Sequence, residues 1–286
     1  MRARELLLAI TAGLLSAAAF PPLSLHLLAW IGWVPLLLVI RGRAPRPAFA
    51  LGLLAGLVAN LGTFHWIVVV VHSYGHAPLA FALLSLLLLS AYLALYPAIW
   101  AGGVAAAARR GAGAAVWLGA PIWVGLELLR AHALSGFPWA LQGYSQTPFT
   151  PVIQIAEWTG VYGVSVLVVL VTLGVAALLW RREERRAARP AILRLLGIGV
   201  LVAALAGWGA WRLEDIRARM QDRAPLPVAL VQGNIPQDVK WSPAFVASSL
   251  ARYLALTRDA SESAPAFIVW PEAAVTFFFQ DEEELA

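Results

Sequence analysis

Apolar residues run along this chain in seven long stretches, near Leu6–Phe20, His26–Ile40, Phe49–Val71, Leu79–Ala108, Ala114–Leu134, Val161–Trp180 and Ile192–Trp211. A hydrocarbon layer about 30 Å thick takes roughly 20 apolar residues of helix to cross, so the pattern predicts about seven membrane-spanning helices within residues 1–212. The first two stretches are short for independent spans, and the fourth is long enough to tilt or to emerge beyond the bilayer. Past Trp211 the texture changes. A charged connector at 213–225 gives way to shorter apolar runs broken by turn signals. "LPVALVQGNI" reads as a buried strand ended by Gly233-Asn234, Pro243–Ala260 as a helix with Ser242 as its N-cap, and "AFIVWPE" as a second buried strand. Strand, helix, strand is the order of a parallel α/β sheet, so residues 226–286 predict the opening of an α/β domain.

Composition agrees with a membrane protein: 60% of the 286 residues are hydrophobic and 13% are charged. The formal net charge of +5 comes from short arginine clusters between apolar runs, not from a basic stripe on one polar face, which argues against a nucleic-acid partner. The clusters orient the chain instead. Arg2 and Arg4, then Arg41, Arg43 and Arg46, then Arg109 and Arg110, then the run Arg181–Arg189 fall in alternate loops, whereas "PPLS" and "HSYGHAP" carry no Lys or Arg. By the positive-inside rule the N-terminus is cytoplasmic, and after seven crossings residues 226–286 lie on the opposite side, the periplasm of a bacterial inner membrane. Ala17-Ala18-Ala19 also resembles a signal-peptide processing site, but the arginine-then-apolar pattern recurs downstream and favours a retained first helix.

The chemistry-bearing residue that stands out is Glu272. Pro271 keeps Trp270 extended and cannot donate to a ladder, so the strand ends as the carboxylate appears, and the C-terminal ends of parallel strands are where open α/β folds place ligand-contacting groups. An ordinary solvated strand-end acid is the competing reading. "LVQGNIPQDVKW" (Leu230–Trp241) followed by "IVWPEAAV" (Ile268–Val275) resembles the opening of the nitrilase-type, or carbon-nitrogen hydrolase, sandwich domain of the apolipoprotein N-acyltransferase family. "PIWVGLELLR" (Pro121–Arg130), "GFPWALQGYSQ" (Gly136–Gln146) and "GVYGVSVLVVLV" (Gly160–Val171) resemble that family's membrane part, in the same order.

The resemblance implies a polytopic helical membrane bundle followed by the incomplete start of a nitrilase-like domain. It implies an enzyme that moves an acyl chain from a membrane phospholipid to the N-terminal amine of a lipoprotein's lipid-modified cysteine, through a thioester on the enzyme. The family uses a Glu–Lys–Cys triad in which Glu272 matches the base; a thiol nucleophile needs a base, and the acyl oxyanion needs a cationic donor. The chain holds no cysteine, and its one lysine, Lys240, belongs to the "VKW" motif. The expectation is therefore a chain truncated at its C-terminus, carrying one third of a triad and unable as given to complete the acyl-enzyme step.

Several other residues are candidates. In the family the tryptophan matching Trp241 lines the lipid-facing entrance to the active site, against the alternative of a packing or interface aromatic. Lys240 is a candidate for a phosphate or headgroup contact, against the default of a solvated lysine. Glu127 and Arg130 lie inside a predicted span, where ionisable groups are costly and usually paired; an internal pair holding helices together stands beside a substrate role. Trp139 and Tyr144 belong to the aromatic stretch Ser135–Thr159, which suits a loop dipping into the headgroup region beside a lipid path, or a plain interfacial anchor. His72 and His76 flank "SYG" in a loop and lack a third ligand, so no metal is assigned, and no cofactor is indicated. A non-catalytic scaffold or transporter-like protein, and a membrane-tethered amidase, are the alternative functions; the "VQGNIP…KW…WPE" series is what transport does not require.

Overall fold

The computed structural model describes residues 2–183, 188–221 and 223–276, and divides the chain into two compact units, residues 1–217 and 218–286. The first unit is helical. Its elements are α1 (Ala3–Ala18), α2 (Val34–Ile40), α3 (Pro45–Thr63), α4 (Leu79–Ala108), α5 (Ala112–His132), α6 (Ala156–Glu183) and α7 (Arg189–Gln221). Five of these, α3 to α7, are long and apolar enough to cross a membrane.

Three of the seven predicted spans take a different form. The stretch His26–Ile40 is not one helix: His26–Trp30 is a 3-10 turn, and α2 begins only at Val34. Pro35 occupies the first turn of α2, where its missing N–H costs nothing. The third run stops at Thr63, short of Val71. Phe64 leaves helical geometry there and packs edge-on against Phe137, with ring centroids 5.2 Å apart. The last run continues well past Trp211 as a 33-residue helix, about 50 Å long at 1.5 Å per residue. The charged stretch that reads as a connector is thus helical as far as Gln221, and Arg212 bridges Asp215 at 2.7 Å within it. α6 formally begins at Ala156, but Gly160 breaks it with φ +60°, a conformation glycine adopts cheaply, so the unbroken helix starts at Val161 as the apolar run predicts.

Small residues set the packing. Gly52 and Gly56 present one face of α3 to α4 so closely that a Cβ on Gly52 would lie 2.7 Å from the Ala101 Cβ and 2.8 Å from the Pro97 carbonyl oxygen. Such small-xxx-small contacts suit helices in lipid, where close backbone approach replaces the hydrophobic drive. Indoles fill the centre: Trp33, Trp100 and Trp123 meet pairwise with centroids 4.9 to 6.1 Å apart. Away from water an indole N–H needs a partner, and Trp100 Nε1 donates to the Gly119 carbonyl at 2.8 Å while Trp180 Nε1 donates to that of Leu37 at 3.1 Å. Glu5 and Arg43, 2.5 Å apart, tie the start of α1 to the segment leaving α2, which makes residues 3–40 a hairpin.

The second unit holds β1 (Val228–Leu230), α8 (Val246–Ser261) and β2 (Phe267–Val269). The strands are parallel, with Ala229 opposite Ile268, as the strand–helix–strand order predicts. α8 covers one face, where Tyr253 and Trp270 approach with centroids 5.2 Å apart and Trp270 Nε1 donates to Thr257 Oγ1 at 2.8 Å. The strands are not buried on both faces as expected: Leu230 is 79% exposed and Phe267 60%. Ser242 is not a side-chain cap either; a 3-10 turn, Pro243–Phe245, precedes α8, and it is the Ser242 carbonyl that accepts the Phe245 N–H at 2.9 Å.

Candidate functional site

Two arrangements of candidate residues are present, one in each unit. In residues 218–286, Val231 N–H donates to the Val269 carbonyl at 2.9 Å, so both parallel strands end on the same edge. The segments that leave them, Gln232–Asn234 and Trp270–Glu272, carry the motif residues. Gly233 packs closely there: a Cβ would fall 2.6 Å from the Tyr253 ring, so a larger residue forces a shift. Glu272 stands just beyond β2 with its side chain exposed. Lys240 closes the single helical turn Gln237–Lys240 and its Nζ donates to the Glu272 backbone oxygen at 3.4 Å. The structure thus brings these two residues together through the Glu272 backbone carbonyl, and Glu272 itself is exposed. Trp241 follows and is exposed. Residues 277–286, the end of the predicted catalytic segment, lie outside the described residues.

In the helical unit Glu127 is buried, and one carboxylate oxygen accepts both Trp123 Nε1 at 2.9 Å and the Gln142 backbone N–H at 2.6 Å. The internal Glu127–Arg130 pair read from the spacing does not form. Arg130 sits at the last turn of α5 and its guanidinium donates instead to the Trp139 carbonyl at 2.9 Å, while its own carbonyl accepts the Phe137 N–H at 2.9 Å. The chain reversal after α5 competes for the guanidinium and wins. The Trp139 and Tyr144 rings are exposed, and Trp139 lies against Trp66 with centroids 5.6 Å apart. His72 Nδ1 bonds the Ala77 carbonyl at 2.8 Å, closing its own loop.

The residues that sequence reasoning missed are amides. The stretch Ser135–Thr159 reads as a loop at the headgroups, and Trp139, Tyr144, Phe149 and Trp158 are exposed, but Gln142, Ser145 and Gln146 are buried within the protein. Gln146 Oε1 accepts Trp30 Nε1 at 2.8 Å and its Nε2 donates to the His26 carbonyl at 3.0 Å. Gln142 Nε2 donates to the Ala29 carbonyl at 3.3 Å, and Ser165 Oγ accepts the Gly143 N–H at 2.8 Å. The amides bond carbonyls of the 3-10 turn His26–Trp30, stitching two irregular segments of the bundle together. The available signal was two glutamines four residues apart in an otherwise apolar and aromatic stretch.

Residues 12–174 match the family model described as the apolipoprotein N-acyltransferase N-terminal domain. Among curated proteins, the chain is 40% identical over 287 residues to an apolipoprotein N-acyltransferase of Geobacter metallireducens, covering 99% of this chain and 54% of the relative. Proteins of the same name from Nitrosomonas europaea and Chromobacterium violaceum are 34% and 35% identical, each over 96% of this chain and 53% and 51% of the relative. The chain thus spans about half the length of the curated relatives it matches. A membrane bundle whose N-terminal domain matches over more than half of the 286 residues, together with relatives aligned along nearly the whole chain, makes this chain a member of the apolipoprotein N-acyltransferase family.

Proposed function

We propose that this chain is the membrane-bound, N-terminal part of an enzyme that transfers an acyl chain from a membrane phospholipid to the N-terminal amine of an apolipoprotein, with Glu272 as the proton acceptor. The observation that carries the reading is the position of Glu272, in a chain of this family, directly beyond a parallel strand at the edge where both strands end. A carboxylate on an exposed residue there can take the proton of an attacking thiol and later that of the incoming amine. The proposal holds for the chain joined to a segment carrying the family's lysine and cysteine, since neither partner is among these 286 residues. Residues 226–286 are then the first part of the nitrilase-like domain, and residues 1–212 the bundle that holds the phospholipid, with 213–225 between them. Trp241 and Lys240 flank the acyl-donor approach, and the exposed Trp139 and Tyr144 rings border a lipid path. The arginine distribution supports a cytoplasmic N-terminus and a periplasmic catalytic segment, in the inner membrane of a bacterium.

The test is Glu272→Gln in the full-length protein, with lipoprotein N-acylation read by mass spectrometry of the modified peptide. Transfer is expected to fall by at least about 100-fold, as removal of a general base does, while membrane insertion and yield are unchanged. Near-normal transfer in that variant would remove Glu272 from the mechanism.

A further inference from the structure

Arg194 interrupts the apolar run that becomes α7, a little over one turn past the helix start at Arg189. Ionisable groups at membrane depth are costly and take a partner, yet Arg194 makes no hydrogen bond or ion pair among the described residues. Its side chain crosses to α5: a Cβ on Gly113 would lie 3.0 Å from both the Arg194 Cζ and its Nη2. Gly113 belongs to the first turn of α5, which has no acidic residue and no side-chain cap. The guanidinium therefore stands beside the positive end of a helix, and that pairing favours an anion.

A groove leads away from Arg194. Leu193, Ile198 and Leu201 of α7 line it, with Trp117 of α5 and Leu170 of α6. Trp117 and Leu193 are each 58% exposed, and only 11% of the apolar stretch of α7 is buried against 61% for α6, so the groove lies open to surrounding lipid. From Arg194 to Leu201 the helix rises about 10 Å, roughly two-thirds of one leaflet of a hydrocarbon layer about 30 Å thick. An inorganic anion would leave this apolar wall uncovered, and an uncharged chain would leave the arginine unpaired. A phospholipid meets both. The charge around Arg194 selects among headgroups: Arg109 and Arg110 precede α5, and the stretch Arg181–Arg189 between α6 and α7 carries five arginines against two glutamates. An ammonium-bearing zwitterionic head is disfavoured in that field, and an anionic one is favoured.

We propose that the groove between α5 and α7 holds an anionic phospholipid, with its phosphate on Arg194 and an acyl chain along Trp117 and Leu201. The lipid fills the space beside α7 and holds that helix against α5 and α6. It is separate from any acyl-donor path bordered by Trp139. From Gly113 to Arg130, α5 rises about 26 Å, so the Arg194 end and the loop after α5 belong to opposite leaflets, and the inference does not depend on the acyl-transfer reading.

Native mass spectrometry of the chain tests this, after release from micelles doped with equal amounts of phosphatidylglycerol and phosphatidylethanolamine of the same acyl chains. Phosphatidylglycerol is expected to be retained at least about five-fold more often than phosphatidylethanolamine, and equal retention overturns the proposal. Arg194→Gln is expected to lower phosphatidylglycerol retention about five-fold, while Arg46→Gln, which removes the same charge at the exposed start of α3, leaves it unchanged. Equal effects of the two would reduce the preference to net charge and overturn the site. Two glycines of α7 test the groove itself: a Cβ on Gly197 or on Gly199 meets nothing within 4 Å, but Gly197 lines the groove and Gly199 does not. Gly197→Leu should displace the lipid and Gly199→Leu should not; the same retention in both variants overturns the placement. Neither substitution clashes with a neighbour, so this pair decides even if Arg194→Gln fails to fold.

Discussion

Gln146→Leu removes the amide that holds the two irregular segments together while keeping the side chain close in size. The residue is fully buried and makes three hydrogen bonds, to Trp30 Nε1, the His26 carbonyl and Ser145 Oγ. At the average of about 0.6 kcal/mol measured for side-chain hydrogen bonds inside membrane proteins, the loss is about 2 kcal/mol. The substitution also leaves the Trp30 indole N–H without its partner, and that raises the expected loss to about 3 kcal/mol. Unfolding of the chain in mixed micelles, followed by tryptophan fluorescence, measures it. Gln154→Leu is the control, because the Gln154 amide bonds only its own helical turn, at the Thr150 carbonyl. Trp30→Phe closes a double-mutant cycle, and the Gln146–Trp30 pair is expected to couple by about 0.5–1.5 kcal/mol. If Gln146→Leu loses no more than Gln154→Leu, or if the cycle shows no coupling, the amide stitch carries no energy and does not hold the two segments together.

Two further outcomes are expected. Gly52→Leu drives a side chain into the Pro97 carbonyl and Ala101 across the α3–α4 contact and should cost at least about 2 kcal/mol, seen as loss of the monodisperse peak in fluorescence-detected size exclusion, while Gly125→Leu, which meets nothing within 4 Å, should be tolerated. Gly233→Ala pushes a Cβ onto the Tyr253 ring and shifts the strand-end segment beside Glu272, so in the full-length protein acyl transfer should fall about ten-fold or more with membrane insertion intact; transfer at the unaltered rate would show that this edge is not part of the site.

The long apolar runs translated directly into helices because hydrogen bonding inside lipid leaves the backbone few other choices. Leu79–Ala108 has the same bounds in sequence and structure, and Gly160 marks the point where the sixth run becomes regular. Parallel pairing of Val228–Leu230 with Phe267–Val269 was legible from strand order and from the turn residues that end each run. Burial was not. A run of apolar residues states that a strand can be covered on both faces, but not that the covering layer lies within the same stretch of chain, and Leu230 and Phe267 remain exposed. Pairing of ionisable groups was illegible for a related reason. Glu127 and Arg130 share a helical face by spacing alone, yet the turn at 137–142 supplies each with a nearer partner, the Trp139 carbonyl for one and the Gln142 N–H for the other.

The deepest departure from the sequence pattern lies where the chain is least helical. Backbone that leaves the α-helix at membrane depth must have its open N–H and C=O groups met by protein, because the hydrocarbon offers none. In the turn His26–Trp30 the carbonyls of His26, Ala29 and Trp30 are each met by a side chain from more than 100 residues away: Gln146, Gln142 and Thr172, the last through its Oγ1 at 2.8 Å. The cost of breaking the second span is thus offset by polar residues in two distant elements, and each of them is explained by the break. This is why hydropathy alone misses the break: the run His26–Ile40 is apolar enough to be one helix, and only the glutamines at 142 and 146 indicate that it is not. The same logic ranks their substitutions. Gln142→Leu loses the bond to Ala29, its longest, but keeps the backbone N–H that Glu127 accepts, so it should cost less than Gln146→Leu. In the same micelle titration, a larger loss at Gln142 than at Gln146 would mean that Glu127, not the amide stitch, sets the geometry of the loop.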